Sequence, residues 1–193
     1  LLTNIVPSLL RAFVMLVIGL FLLRNNIKIL SFSTLLLTLL FIIALFPRYI
    51  FSLSLWFSIF GVFYIFLFLK YFKAFNKYFL FFFFNLWIYL ALNPVIHYFF
   101  STTSYEQLFS PLLTLLFILF YPFELFLHFI GYGSFLDKYV EMFLNYKVYV
   151  FEVSTSLWFF VFYVVLSLSS IFSKRAFIVL NALLVGFNLY IFI

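Results

Sequence analysis

Cysteine is absent from the 193 residues, and histidine occurs only twice. Disulfides, thiolate metal sites and iron–sulfur ligation are excluded at once. Two imidazoles supply too few ligands for most metal shells, so no metal and no cofactor are expected. Charge is nearly as scarce. Charged residues make up 8% of the chain, and the acids number 5. A soluble domain carries roughly 25% charged residues, so this chain could not cover its own surface in water. Glycine and proline number 5 each. Membrane helices use small residues where they touch, and their shortage here hands those contacts to bulky side chains. No Ser-His-Asp arrangement, phosphate loop or HExxH motif occurs.

What is present is apolar bulk. Phenylalanine alone accounts for 36 residues, hydrophobic residues for 68%, and mean hydropathy is +1.29. Runs such as Phe79-Leu80-Phe81-Phe82-Phe83-Phe84 place the chain in a bilayer. Phe, Leu, Ile, Tyr, Asn and Lys are read from A+T-rich codons, so the composition also reports the base composition of the gene. Leu1 is the first residue, and the methionines are Met15 and Met142. Processing or a non-standard start codon is expected, with synthesis inside an organelle.

Apolar runs long enough to cross about 30 Å of hydrocarbon number about seven. They are Ile5–Leu23, Ile29–Phe46, Tyr49–Leu69, Tyr78–Phe100, Leu108–Ile130, Val153–Phe172 and Ala176–Ile193. Strict alternation is missing and every face is apolar, which selects helices over a membrane barrel. The expected fold is all-α: a polytopic transmembrane helical bundle, forming a single domain over 1–193. Gly131–Tyr149, with Asp137, Lys138, Glu141 and Lys147, is expected as a short surface helix or a loop.

The formal charge of +6 is read as membrane orientation, so no nucleic-acid partner is expected. If each run crosses once, Arg24, Lys28, Lys70, Lys73, Lys77, Lys138 and Lys147 share one side. Arg48, Lys174 and Arg175 take the other. The positive-inside rule then sets the N-terminus outside and the C-terminus inside. Lys70, Lys73 and Lys77 recur at helical spacing and predict one basic stripe for lipid headgroups, cardiolipin among them.

Glu124 is the acid deepest in a run, and His128 lies four residues on, on the same helical face. Glu124 and His128 are therefore proton-path candidates. Tyr121 and Gly131 nearby also fit a simple hydrogen-bonded helix end. Asn93-Pro94 must loosen the helix that carries His97, because proline donates no backbone hydrogen bond. Trp56, Trp87 and Trp158 are read as packing residues or interface anchors.

Gly19-Leu20-Phe21-Leu22-Leu23-Arg24-Asn25-Asn26-Ile27 resembles the first hairpin of subunits 6 and 4L of mitochondrial NADH dehydrogenase. Ile59-Phe60-Gly61-Val62-Phe63 is similar to the aromatic-Gly element of subunit 6. The departures are specific: Tyr does not precede Gly61, and the second run lacks an acid. Leu157–Val165 looks like a late helix of cytochrome oxidase subunit III, with Phe where that family is polar. Lys174-Arg175 with Asn181 and Gly186 faintly resembles a helix of ATP synthase subunit a. The resemblance implies a non-catalytic or proton-path subunit of a respiratory complex in the mitochondrial inner membrane. The membrane arm of complex I comes first. Cytochrome oxidase or ATP synthase is the alternative, and a carrier or TatC-like translocase comes last. Other subunits of that assembly and phospholipid are the expected partners.

Overall fold

The computed structural model describes residues 12–14, 16–17, 31–145 and 149–192. Arg11, Arg24, Lys28 and Lys147 fall outside them, as does the Gly19–Ile27 hairpin. The chain divides into two compact units, Leu1–Phe75 and Asn76–Ile193.

In the first unit, α1 spans Phe32–Leu45 and α2 spans Leu53–Phe72. Ser31 caps α1 by accepting from the Thr34 N–H at 3.2 Å, which satisfies one of the donors that a helix start leaves open. Thr38 donates back to the Thr34 carbonyl at 2.7 Å, so the buried threonines carry no unpaired hydroxyl into the contact. Phe32 lies edge-on against Phe63 and Phe66 of α2, with ring centres 5.6 and 5.8 Å away. Aromatic edges thus do the work of small residues, as the composition requires. Pro47 stops α1, and the 3-10 turn Pro47–Phe51 leads into α2, its Ile50 carbonyl held by the Trp56 indole at 2.7 Å.

The second unit holds α3 (Lys77–Phe100), β1 (Thr102–Ser104), α4 (Ser110–Phe129), α5 (Asp137–Leu144), β2 (Val150–Glu152), α6 (Leu157–Ser169) and α7 (Lys174–Phe192). Its core is a three-helix bundle of α3, α6 and α7. Trp87 meets Asn181 and Asn93 meets Asn188, so α3 and α7 run parallel. Phe160 stacks on Tyr98 while Tyr163 reaches back to Ala91, so α6 runs against α3. Lys77, Lys174 and Arg175 therefore gather at one end. At the other end β1 and β2 pair antiparallel, Thr102 opposite Glu152 and Ser104 opposite Val150. The ribbon is the one departure from an all-α architecture among the described residues.

The ribbon corrects the expected path of the chain. Residues 105–149 leave the bundle from the end to which they return. Leu108–Ile130 followed by a crossing at Val153–Phe172 needs those ends on opposite faces. The separation of Lys77 from Lys174 and Arg175 fails for the same reason. Hydropathy reports the length of a run and not the direction of its helix.

α4 packs against α3 but leaves most of its surface uncovered, with Pro111 its one buried residue. Gly131 closes it at φ 85°, a left-handed turn that glycine takes without a Cβ clash, and the Tyr132 N–H reaches the Leu127 carbonyl at 2.9 Å. α5 is a short exposed helix, one of the two forms expected for that segment. Four helical stretches are long and apolar enough to cross a membrane: Leu53–Phe72, Lys77–Phe100, Tyr105–Phe129 and Lys174–Phe192. α1 and α6 are apolar but shorter. α6 begins late because 153–156 stay extended and Ser156 caps it, accepting from the Phe159 N–H at 3.3 Å.

Candidate functional site

The polar side chains of α3 and α7 form a column inside the second unit. Trp87 donates its indole N–H to Asn181 at 2.8 Å, and Asn181 donates to the Phe177 carbonyl of its own helix at 2.7 Å. One level further, Asn93 donates to the Asn188 side-chain carbonyl at 2.5 Å. Pro94 has no N–H for the Leu90 carbonyl one turn back. Asn188 supplies the missing donor, at 3.4 Å to Leu90, and also donates to Leu184 at 2.8 Å. Tyr163 of α6 donates to the neighbouring Ala91 carbonyl at 2.6 Å. A proline break in a membrane helix is tolerated when neighbours satisfy the backbone in this way.

His97 follows Asn93 by one turn. It is 1% exposed, and neither ring nitrogen has a hydrogen-bond partner among the described residues. Its ring lies edge-on to Phe187 of α7, with centres 6.1 Å apart. Phe187 in turn stacks on Phe159 of α6 at 4.9 Å. Beyond that stack, a cleft of about 530 Å³ opens at the ribbon end, lined by Ser154, Thr155, Ser156, Gly186 and Tyr190 as well as the two rings. A second cleft of about 450 Å³ adjoins it and shares Ser154 and Tyr190, with Tyr105 and Glu152 in its wall. Among the described residues no group of three metal-ligating side chains comes together.

The expected site residues, Glu124, His128 and the three lysines, fall elsewhere. Glu124 and His128 do meet on α4. The imidazole Nδ1 lies 3.3 Å from a Glu124 carboxylate oxygen and 3.0 Å from its backbone carbonyl. Glu124 Oε2 is buried without a partner, whereas His128 is 60% exposed, so the pair sits at the exposed end of the helix that leaves the bundle. Lys70, Lys73 and Lys77 are all exposed, but no single helix carries them. α2 stops at Phe72, and Asn76 starts α3 by accepting from the Tyr78 N–H at 3.3 Å. A stripe at helical spacing requires the helix to continue through 73–76, and it does not. Lys70 Nζ stands 5.4 Å over the Tyr71 ring.

The column itself went unread in the sequence. A signal existed: Asn181 and Asn188 are seven apart, which sets both on one face of a helix. Trp87 and Asn93 lie on the partner at nearly the same separation. Trp87, expected as a packing residue or an interface anchor, is buried and takes the packing role.

Long apolar helices with polar side chains turned inward define a multi-pass helical membrane protein. A family model described as Competence protein matches residues 1–192, and the chain belongs to that family. No curated protein and no solved structure matches it. The family overturns the respiratory reading, complex I and its alternatives together. The local resemblances had a compositional cause: in a chain with 36 Phe, short aromatic-Leu matches arise readily. Gly61, the centre of one of them, has nothing within 4 Å of where a Cβ would stand, so no close helix contact requires it. The mitochondrial assignment loses its support with the respiratory one. Helix length and hydropathy show a multi-pass membrane protein and indicate no organelle.

Proposed function

We propose that the chain is the membrane-embedded part of an apparatus that brings external DNA into the cell. The family match over residues 1–192 carries this reading. The fold is consistent with it, because a bundle with a polar column and, among the described residues, no catalytic constellation suits passage or support better than chemistry. Residues 1–193 are read as one transmembrane domain.

The basic residues alone point to headgroups; a nucleic-acid partner belongs to the reading only through the family match. The exposed Lys70, Lys73 and Lys77 remain the proposed contacts for anionic phospholipid, cardiolipin included. Further protein subunits are proposed partners as well. Glu124 and His128 remain the proposed proton-sharing pair on α4, supported by their 3.3 Å contact.

The expected seven crossings reduce to about six in this reading, because 105–149 returns to its starting end and contributes no net crossing. The end bearing Lys77, Lys174 and Arg175 faces the cytosol, which the positive-inside rule favours. The ribbon and both clefts then face outward, and the N-terminus is external.

The experiment is deletion of the gene followed by uptake of labelled double-stranded DNA into a nuclease-resistant fraction. Uptake is expected to fall to background and to return with the intact gene. Unchanged uptake in the deletion strain overturns the reading.

A further inference from the structure

His97 is the one fully buried side chain of the α3–α6–α7 bundle whose ring nitrogens have no partner among the described residues. Asn93, Asn181, Asn188, Trp87 and Tyr163 all hydrogen-bond, while the Tyr89 hydroxyl, one turn before Asn93, is a further buried oxygen of α3 without a partner among the described residues. A neutral imidazole carries one donor and one acceptor, and leaving both unmade in an apolar interior is expensive. Buried orphans of this kind mark internal water or a bound ion. Another orphan lies on the cleft side. Thr155 Oγ1 is buried without a partner, in the wall of the hydroxyl-lined cleft. Phe187 stands between the two. Its ring touches His97 on one side, stacks on Phe159, and lines the cleft with Thr155.

We propose that His97 is a water-contacted, proton-accepting site at the head of the polar column, and that the Phe187 ring gates it from the cleft. The ligand is water, or its protonated form. A hydronium entering past Phe187 gives its proton to one ring nitrogen and leaves as water. The ring returns to neutrality by releasing a proton to water from either nitrogen. No charged group in the bundle competes for the proton. α6 carries none, and the charges of α3 and α7 are Lys77, Lys174 and Arg175 at the opposite end. The acids of the ribbon end are Glu106 and Glu152, and Glu124 lies on α4, which packs against α3. Asn93 and Asn188, one turn deeper, are neutral. This site is independent of the DNA-uptake reading, since it rests on the column and cleft alone.

The chain has two histidines, so His128→Gln leaves His97 as the only imidazole. The test is nitrogen-15 histidine NMR on that full chain in lipid nanodiscs. Expected are a cross-peak between the His97 ring and water and a ring signal that titrates as a single group. Phe187→Ala should speed exchange of the ring proton with water by about tenfold or more, since the barrier is the ring. Phe187→Leu keeps the apolar plug and should stay within about twofold of the parent. Thr155→Val is expected to slow exchange, because it removes the hydroxyl on the cleft side. A His97 ring with no water contact and no titration overturns the site. Equal exchange in Phe187→Ala and Phe187→Leu overturns the gate. The spectrum of the parent chain decides the first question even where Phe187→Ala does not fold.

Discussion

Asn188 shows how one side chain answers a defect made elsewhere. Pro94 leaves the Leu90 carbonyl without its helical donor, and Asn188 donates to it while accepting from Asn93. Asn188→Leu should therefore leave two polar groups of α3 unpaired and cost about 1–2 kcal/mol, within the span measured for hydrogen bonds between membrane helices. Pro94→Ala returns an N–H to the Leu90 carbonyl. Combined with Asn188→Leu, it should recover part of that cost, giving a coupling of about 0.5–1 kcal/mol. Reversible unfolding of the four chains of this cycle in mixed micelles measures it. Strict additivity would show that Asn188 does not serve the proline break.

At the scale of elements, the two-strand ribbon decides the path of the chain. It is three residues long on each side, yet it ties the exit of α3 to the entrance of α6. The chain lacks cysteine, so paired replacements can be read without background. Thr102→Cys with Glu152→Cys places two thiols at facing positions, and oxidation should close the loop with a mobility shift in most of the protein. If α4 crossed the membrane and α5 lay on the far side, the two thiols would be a bilayer apart and no cross-link would form. α4 is a helix of 20 residues, roughly 30 Å long, with an apolar surface that the bundle does not cover.

At the scale of the molecule, the parallel course of α3 and α7 carries a topology that labelling can check. Single cysteines at Lys77 and at Lys174 should react with a membrane-impermeant maleimide from the cytosolic face. One at Glu152 should react from outside. A crossing at every apolar run would place Lys77 and Lys174 on opposite faces, so opposite labelling of those two would refute the bundle geometry. The family membership bears on function at this scale as well, because the match extends over residues 1–192.

Membrane residence, helices and approximate span positions were legible in the sequence, because the length and continuity of apolar runs depend on composition alone. Leu53–Phe72 and Lys174–Phe192 appear close to where hydropathy puts them. Capping was not read: Asn76 and Ser156 are ordinary cap residues, and the break before Asn76 divides the lysines that spacing alone had joined. Function was obscured by the same composition that revealed the membrane, since one chain rich in Phe and Leu resembles another over ten residues. What tertiary structure decided is direction and partnership. Whether α7 runs with α3 or against it depends on Asn181 finding Trp87 and Asn188 finding Asn93, contacts across more than ninety residues. Local sequence cannot encode such a choice, because it is made by pairing donors with acceptors where no water is present to satisfy them.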